Sequence, residues 1–254
     1  MHPILIKLGN FELHWYGLLL ALGFLVGLWT AARRAKSADI KPEVVWGLGT
    51  WLIIGSLLVA KAFHVAIYFD DYRLHFAENP LVMLRSGVVF YGGLTGGIVT
   101  TILYADMNKV PLWKLADVLA PSLALGHAFG RVGCFLEGCC YGTRCNLPWA
   151  VQYSWAHETH QQPVHPSQLY EAAGLLAIAT ALHWLFPKRK FDGQVWWLYA
   201  LFYALLRFKV EFFRGDVPIH WLGGLGLTTA QFLSALLLVV AVVFLVRGKF
   251  QKTS

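Results

Sequence analysis

Residues 228–246 read TTAQFLSALLLVVAVVFLV and contain no charged side chain. A helix that crosses the hydrocarbon core of a bilayer needs about 20 mostly apolar residues. This run is too long for a buried strand, and it predicts a membrane-spanning helix whose backbone hydrogen bonds are all internal. Six similar runs precede it. The seven candidate spans cover residues 13–32, 44–69, 86–105, 115–136, 166–186, 193–213 and 228–246.

The composition of the whole chain agrees with this pattern. Of the 254 residues, 57% are hydrophobic and 14% are charged, whereas charged residues make up about 25% of a soluble globular domain. These values exclude a disordered chain and argue against an ordinary soluble enzyme, which needs more charges to cover its surface. We therefore expect an all-α, polytopic membrane protein of about seven transmembrane helices, forming a single domain over residues 1–254.

The positive charges lie mainly in the gaps between the apolar runs, so the net charge of +7 does not indicate a nucleic-acid partner. The gaps after spans one, three and five, together with the tail, contain 12 Lys and Arg, and the gaps on the other side contain 5. An excess of Lys and Arg marks the cytoplasmic side. This count predicts an N-terminus outside and a cytoplasmic C-terminus, and it places the longest gap, residues 137–165, in an extracytoplasmic loop.

Ionisable side chains are rare inside membrane spans and often mark a functional site. The sixth span carries Tyr203, Arg207 and Glu211 at spacings of four, which puts them on one helix face. The fourth span carries Arg131 near the same predicted outer end. Two arginines at that depth predict a site for an anion such as a lipid phosphate. The structural alternatives are an arginine that extends to the headgroups and an ion pair between Arg207 and Glu211.

Glycines cluster in the third and fourth spans and in the loop that follows. They include Gly92 and Gly93, then several in residues 130–142, GRVGCFLEGCCYG. Small residues often allow close helix packing. Alternatively, such residues let the backbone approach a ligand or line a cavity. The 130–142 run is typical of a helix break at the outer surface.

That run resembles the signature of the bacterial prolipoprotein diacylglyceryl transferase family. Four further segments resemble the same family in the same order. They are residues 14–17 (HWYG), 90–94 (FYGGL), 165–171 (HPSQLYE, preceded by Trp149-Ala150) and 207–214 (RFKVEFFR). The resemblance thus covers nearly the whole chain, and five ordered matches are more specific than any one of them.

The resemblance implies an enzyme of the bacterial cytoplasmic (inner) membrane whose active site faces the extracytoplasmic side. Members of this family transfer the diacylglyceryl group of phosphatidylglycerol to a cysteine thiol after the signal segment of a prolipoprotein, and glycerol phosphate is released. The implied partners are phosphatidylglycerol, the prolipoprotein signal segment and the bilayer. No cofactor and no metal are implied.

Matching positions give the candidate site residues. Arg131 and Arg207 would bind the lipid phosphate and stabilise its developing charge, and Glu211 would orient Arg207 or assist proton transfer. Gly142 would permit the turn after the signature. The remaining candidates for substrate binding are Tyr16, Tyr203, His14, Gly92, Gly93 and Gln168.

The chain departs from the family at several polar positions. The family usually has His, a candidate base, where this chain has Tyr91, and tyrosine, with a reference pKa of about 10, is a poor base at neutral pH. The family signature usually has Asn at the positions of Cys134 and Glu137 and an acid at that of Cys139. Either Tyr91 donates a hydrogen bond while the cationic field activates the thiol, or another group is the base, or the chemistry has diverged.

The four cysteines, Cys134, Cys139, Cys140 and Cys145, all lie in or beside the predicted outer loop. An oxidising compartment favours one or two disulfides there. Free thiols, a metal site and a redox-active pair are the alternatives, although no Cys-x-x-Cys motif is present. Besides the transferase, three functions stay open: a divergent relative that binds phospholipid or modifies another acceptor, a membrane thiol oxidoreductase, and, less favoured, a transporter.

Overall fold

The computed structural model describes residues 4–9, 11–75, 87–154, 157–216 and 226–250. Arg85, Ser86 and Lys252, which contribute to the predicted third span and to the charge count, lie outside these residues. The described chain is mostly helical. In chain order its elements are β1 (Ile4–Leu8), β2 (Phe11–His14), α1 (Trp15–Ala35), α2 (Pro42–Ile67), α3 (Phe69–His75), α4 (Phe90–Met107), α5 (Leu112–Glu137), α6 (Ser167–Leu185), α7 (Gln194–Glu211) and α8 (Thr229–Phe250).

Each of the seven predicted spans corresponds to a helix, and five of the helices are long and apolar enough to cross a membrane. These five are Trp15–Ala38, Pro42–Ile67, Leu112–Glu137, Ser167–Lys188 and Thr229–Gly248. The first and fourth are extended by short 3-10 turns, Lys36–Ala38 and Phe186–Lys188. Among the other two predicted spans, α4 is rich in glycine, and α7 contains Arg207, Lys209 and Glu211. The prediction of a multi-pass helical membrane protein is confirmed, with five helices long and apolar enough to cross a membrane among the described residues.

An antiparallel hairpin was not expected from the sequence. Strand β1 pairs with β2, and Leu8 faces Phe11 across the turn. His14, which was expected to open the first span, is the last residue of β2, and the helix begins at Trp15. The hairpin therefore adds a short β element to a fold predicted as all-α.

The chain divides into two compact units, Met1–Arg34 with Ala116–Ser254, and Ala35–Leu115. In the second unit, α2 packs against α4 through glycine. A Cβ on Gly92 would lie 2.8 Å from Phe63 Cβ, and one on Gly96 would lie 2.7 Å from the carbonyl oxygen of Gly55. Helix α4 is continuous through these glycines, so they allow close helix contact rather than interrupt the span.

In the first unit, α7 packs against α6 and α8. Asp117 of α5 is fully buried and caps the start of α7, because its carboxylate accepts hydrogen bonds from Gly193 N at 2.8 Å and Trp196 N at 2.9 Å. Free N–H groups at a helix start need such an acceptor. This explains why a fully buried acidic residue is tolerated near the start of α5.

The predicted break at residues 130–142 begins later than the sequence suggested. Helix α5 continues through Glu137 and ends where Gly138 adopts a φ of 86°. The following segment, up to α6, is held by isolated backbone bridges such as Gly142 with Arg214 and Arg144 with Val164. The described residues of the predicted loop 137–165 therefore include several that backbone bridges hold between the end of α5 and the start of α6.

Candidate functional site

Arg131 lies near the end of α5 and pairs with an acidic residue of α6. Its Nη2 is 3.0 Å from Glu171 Oε1, with the Arg131 side chain 15% exposed and that of Glu171 only 2%. His127, one turn earlier on α5, has its Nε2 3.9 Å from the same carboxylate oxygen. A buried carboxylate thus fixes the position of the first predicted phosphate-binding arginine.

Arg207 is fixed in a similar way near the end of α7. Its Nη2 is 2.8 Å from Glu211 Oε2, and the two side chains are 14% and 6% exposed. The other oxygen of Glu211 accepts a hydrogen bond of 3.0 Å from the Thr228 hydroxyl. Thr228 Oγ1 and Oε1 of Gln231 in turn hold the start of α8 through backbone N–H groups. The predicted face shared by Arg207 and Glu211 is confirmed.

Two aromatic side chains, His127 and Tyr203, lie near both Arg131 and Arg207. The ring centroids of His127 and Tyr203 are 5.3 Å apart. Both guanidinium groups lie within electrostatic range of both rings, and Arg131 is also within hydrogen-bonding reach of the Tyr203 hydroxyl. The two arginines therefore converge on one region of the first unit.

Arg207 keeps one buried donor unused. Its Nη1 has no hydrogen-bond partner among the described residues. Leaving a buried charged donor unpaired is costly, so this atom marks a place where an external acceptor would be favourable. A phosphate oxygen is such an acceptor, and arginine binds phosphate well because its planar group donates several hydrogen bonds in a fixed geometry.

The same unit contains a cavity of about 210 Å³. It is lined by His14, Tyr16, Glu137 and Cys139. His14 Nδ1 is 3.1 Å from Glu137 Oε1, and Tyr16 lies within electrostatic range of Arg131. Two of the predicted substrate-binding residues, His14 and Tyr16, thus share one cavity.

Gly142 lies where three chain segments meet. Its N–H donates to His165 O at 2.9 Å, and the next residue, Thr143, donates to Phe213 O at 2.8 Å. Gly215 donates to Tyr141 O at 3.1 Å and completes the junction. A Cβ on Gly142 would lie 2.5 Å from His165 Cβ and 2.6 Å from two carbonyl oxygens, so glycine is required here for packing.

Gln168 supports this junction from the first turn of α6. Its fully buried amide donates to Cys139 O at 2.6 Å and to the Tyr153 hydroxyl at 3.1 Å. The amide nitrogen of Gln168 therefore donates its hydrogen bonds to the loop between α5 and α6.

Tyr141 in the same loop donates its hydroxyl to Glu158 Oε2 at 2.8 Å. Burial and this hydrogen bond raise the pKa of Tyr141 to about 12.

Tyr91, Gly92 and Gly93 belong to the first turn of α4, in the second unit. The Tyr91 side chain is exposed, and Gly92 is buried against α2. A Cβ on Gly93 would only reach ordinary contact distance from Ala60. The roles expected of these three residues stay predictions.

The structure adds Glu171, His127 and Thr228 to the candidate site. The sequence showed an acid at the start of the fifth span and a histidine one turn before Arg131, but no spacing links Arg131 to residue 171. All four cysteines are free thiols, so the favoured disulfides are not formed in this structure.

Comparisons with known proteins identify the family. A family model described as prolipoprotein diacylglyceryl transferase matches residues 3–247. Three similar proteins carry the name phosphatidylglycerol–prolipoprotein diacylglyceryl transferase. The protein from Clostridium tetani is 30% identical over 99% of this chain and 100% of its own length. That from Mannheimia succiniciproducens is 34% identical over 96% and 91%, and that from Thermosynechococcus vestitus is 32% identical over 83% and 81%. This chain belongs to the prolipoprotein diacylglyceryl transferase family.

Proposed function

We propose that this chain transfers the diacylglyceryl group of phosphatidylglycerol to the cysteine thiol that follows the signal segment of a prolipoprotein. The thiol loses its proton, and its sulfur forms a bond to the terminal carbon of the diacylglyceryl group. The bond from that carbon to the phosphate oxygen breaks, and its electron pair leaves with glycerol phosphate. The protein acts in the bacterial cytoplasmic membrane, with seven spans, the N-terminus outside and the site facing the extracytoplasmic side.

The observation that carries the proposal is the pair of converging arginines, of which Arg207 has a buried donor without a partner in the described part of the chain. In the proposed complex, Arg131 and Arg207 hold the phosphate. As the carbon–oxygen bond breaks, charge develops on the phosphate, and donors fixed in advance stabilise that charge. Glu171 and Glu211 keep the two guanidinium groups in position before the lipid arrives.

The remaining candidates of the first unit have supporting roles. Tyr203, next to both arginines, contacts the headgroup, and Tyr16 and His14 line the cavity that receives part of the substrate. Gly142 and Gln168 act through the loop that they hold. Tyr91 is assigned a hydrogen-bonding role towards the substrate. Gly92 is occupied by the packing of α4 against α2, so only Gly93 is assigned a role in substrate approach.

The experiment uses purified protein in vesicles that contain phosphatidylglycerol. The acceptor is a peptide with a signal segment and a single cysteine, and mass spectrometry detects the diacylglyceryl thioether. Arg207→Gln and Arg131→Gln should each lower kcat/KM by about 100-fold or more, since loss of one donor to a developing oxyanion has that effect. Vesicles without phosphatidylglycerol should yield no thioether.

The matched control is Lys209→Gln. Lys209 lies two residues from Arg207 on α7 and is exposed, so this substitution removes one positive charge outside the proposed site. It should retain nearly full activity. If Arg207→Gln fails to fold, Arg207→Lys replaces it. Lysine keeps the positive charge but cannot form a bidentate contact with phosphate, so kcat/KM should also decrease. Wild-type-like activity of a folded Arg207→Gln protein would contradict the proposed role.

A further inference from the structure

Three of the four cysteines meet at the end of α5, and the proposed transfer uses none of them. The sulfur atoms of Cys134, Cys139 and Cys140 all lie within 4.8 Å of one another. Cys134 belongs to the last turn of α5, which ends at Glu137, and Cys139 and Cys140 follow after Gly138. Cys145 is not part of this group. Three converging thiols are far less common than a single buried cysteine and require an explanation.

The backbone around these cysteines is fixed from several directions. Cys139 N donates to Cys134 O at 3.2 Å. Gln168 donates to Cys139 O, and the Ser167 hydroxyl donates to Cys140 O at 2.8 Å. Cys140 has a φ of 60°, a left-handed conformation that costs a non-glycine residue about 1 kcal/mol or more. The start of α6 thus holds the turn that brings the thiols of Cys139 and Cys140 close to that of Cys134.

The spacing of the sulfurs suits a metal ion. A zinc–sulfur bond of about 2.3 Å places the sulfurs of a tetrahedral site about 3.8 Å apart. Small rotations about the Cα–Cβ bonds bring sulfurs that lie within 4.8 Å to that distance. A disulfide would need two sulfurs about 2.05 Å apart and would leave the third thiol without a role.

The surrounding charges also suit a site with three thiolates. One divalent ion with three thiolates has a net charge of −1. The guanidinium groups of Arg131 and Arg214 lie within electrostatic range of Cys140, so they can compensate this charge. Cys139 also lines the cavity that contains His14, Tyr16 and Glu137, and that cavity leaves room for a fourth ligand.

We propose that Cys134, Cys139 and Cys140 bind one zinc ion as three thiolate ligands, with the fourth position open to the adjacent cavity. Three protein ligands and one open position are typical of zinc sites that bind an exchangeable ligand. Binding releases the thiol protons, because the metal ligands are thiolates. The inference does not rest on the proposed transfer, since metal binding is measured without lipid or peptide.

The test uses the full chain, purified in detergent with a reductant and stripped of metal. Titration with Co²⁺ should produce thiolate-to-cobalt charge-transfer absorption that saturates at one ion per chain, and Zn²⁺ should displace the cobalt. Elemental analysis of the Zn²⁺-loaded protein should give the same stoichiometry. Absence of uptake by the reduced wild-type protein would overturn the proposal.

Single serine variants locate the site. We expect more than about 100-fold weaker zinc binding in each of the variants Cys134→Ser, Cys139→Ser and Cys140→Ser. Loss of a residue that only hydrogen-bonds a metal ligand already weakens binding by about 10–100-fold. Cys145→Ser is the matched control and should bind like the wild type. Thermal unfolding in detergent checks that each variant is folded. Equal loss in Cys145→Ser, or unchanged affinity in a folded Cys140→Ser protein, would refute the assignment.

Discussion

Replacing Glu171 by Gln should destabilise the protein strongly, because it removes the partner of a mostly buried arginine. The Glu171 side chain is 2% exposed, and its oxygen is 3.0 Å from Arg131 Nη2. Breaking a buried ion pair from one side costs about 3–5 kcal/mol, since the other charge is left uncompensated. For a chain of this size, 1 kcal/mol shifts Tm by about 2–4 °C. We therefore expect a decrease in Tm of about 6–20 °C.

The assay is thermal unfolding of purified variants in detergent, followed by intrinsic fluorescence. Glu12→Gln is the control, because Glu12 pairs with Lys7 in an exposed ion pair, and exposed pairs contribute about 0–1 kcal/mol. Its Tm should change by less than about 4 °C. Glu171→Gln combined with Arg131→Gln should recover part of the loss, since no charge is then left unpaired.

Two results would refute this reasoning. One is a Glu171→Gln Tm no lower than that of Glu12→Gln. The other is a double variant whose loss equals the sum of the two single losses, because strict additivity means that the two side chains do not interact.

Three more predictions concern the regions around the site. Gly142→Ala should lower Tm or prevent folding, because its Cβ would lie 2.5 Å from His165 Cβ, whereas Gly130→Ala, with nothing within 4 Å, should be neutral in the same assay. Asp117→Ala removes the acceptor of two backbone N–H groups and should cost about 2–6 kcal/mol. The exposed Asp39, which pairs with Lys114, provides a control. Asp39 has a φ of 52°, which Asn also tolerates, so Asp39→Asn should cost about 1 kcal/mol or less. The Tyr141 hydroxyl should stay protonated at pH 11, because its pKa is raised to about 12. Its contribution to stability is complete below about pH 10 and is lost as the pH rises through 12. The measurement is the difference in phenolate absorbance between wild type and Tyr141→Phe, and a difference that is already complete at pH 11 would contradict this prediction. Glu158→Gln should lower the pKa of Tyr141.

The sequence was sufficient to locate the long helices, although the short helix α3 (Phe69–His75) was not predicted. The run 115–136 became Leu112–Glu137, and the run 228–246 became Thr229–Phe250. Apolar length is a direct physical requirement of a bilayer, so such runs can be recognised without knowledge of packing. The hairpin before α1 was missed although a Gly-Asn pair separates its two short strands, because segments of five and four residues are weak signals beside spans of twenty.

The candidate site could be predicted only in part. Arg207 and Glu211 are four residues apart on one helix, so their proximity follows from helix geometry. The pairing of Arg131 with Glu171 depends on how α5 meets α6, and no local spacing encodes that contact. The convergence of Cys134 with Cys139 and Cys140 likewise required the turn that Gly138 and Cys140 form with positive φ angles.

The junction around Gly142 consists of main-chain groups. Residues 142 and 143 donate to carbonyl oxygens of residues 165 and 213, and Gly215 donates back to residue 141. Amide and carbonyl groups are the same in nearly every amino acid. The frame that joins these three segments therefore places little demand on many of the side chains it carries, apart from Gly142, so we expect exposed positions on that loop to accept substitution without loss of the junction.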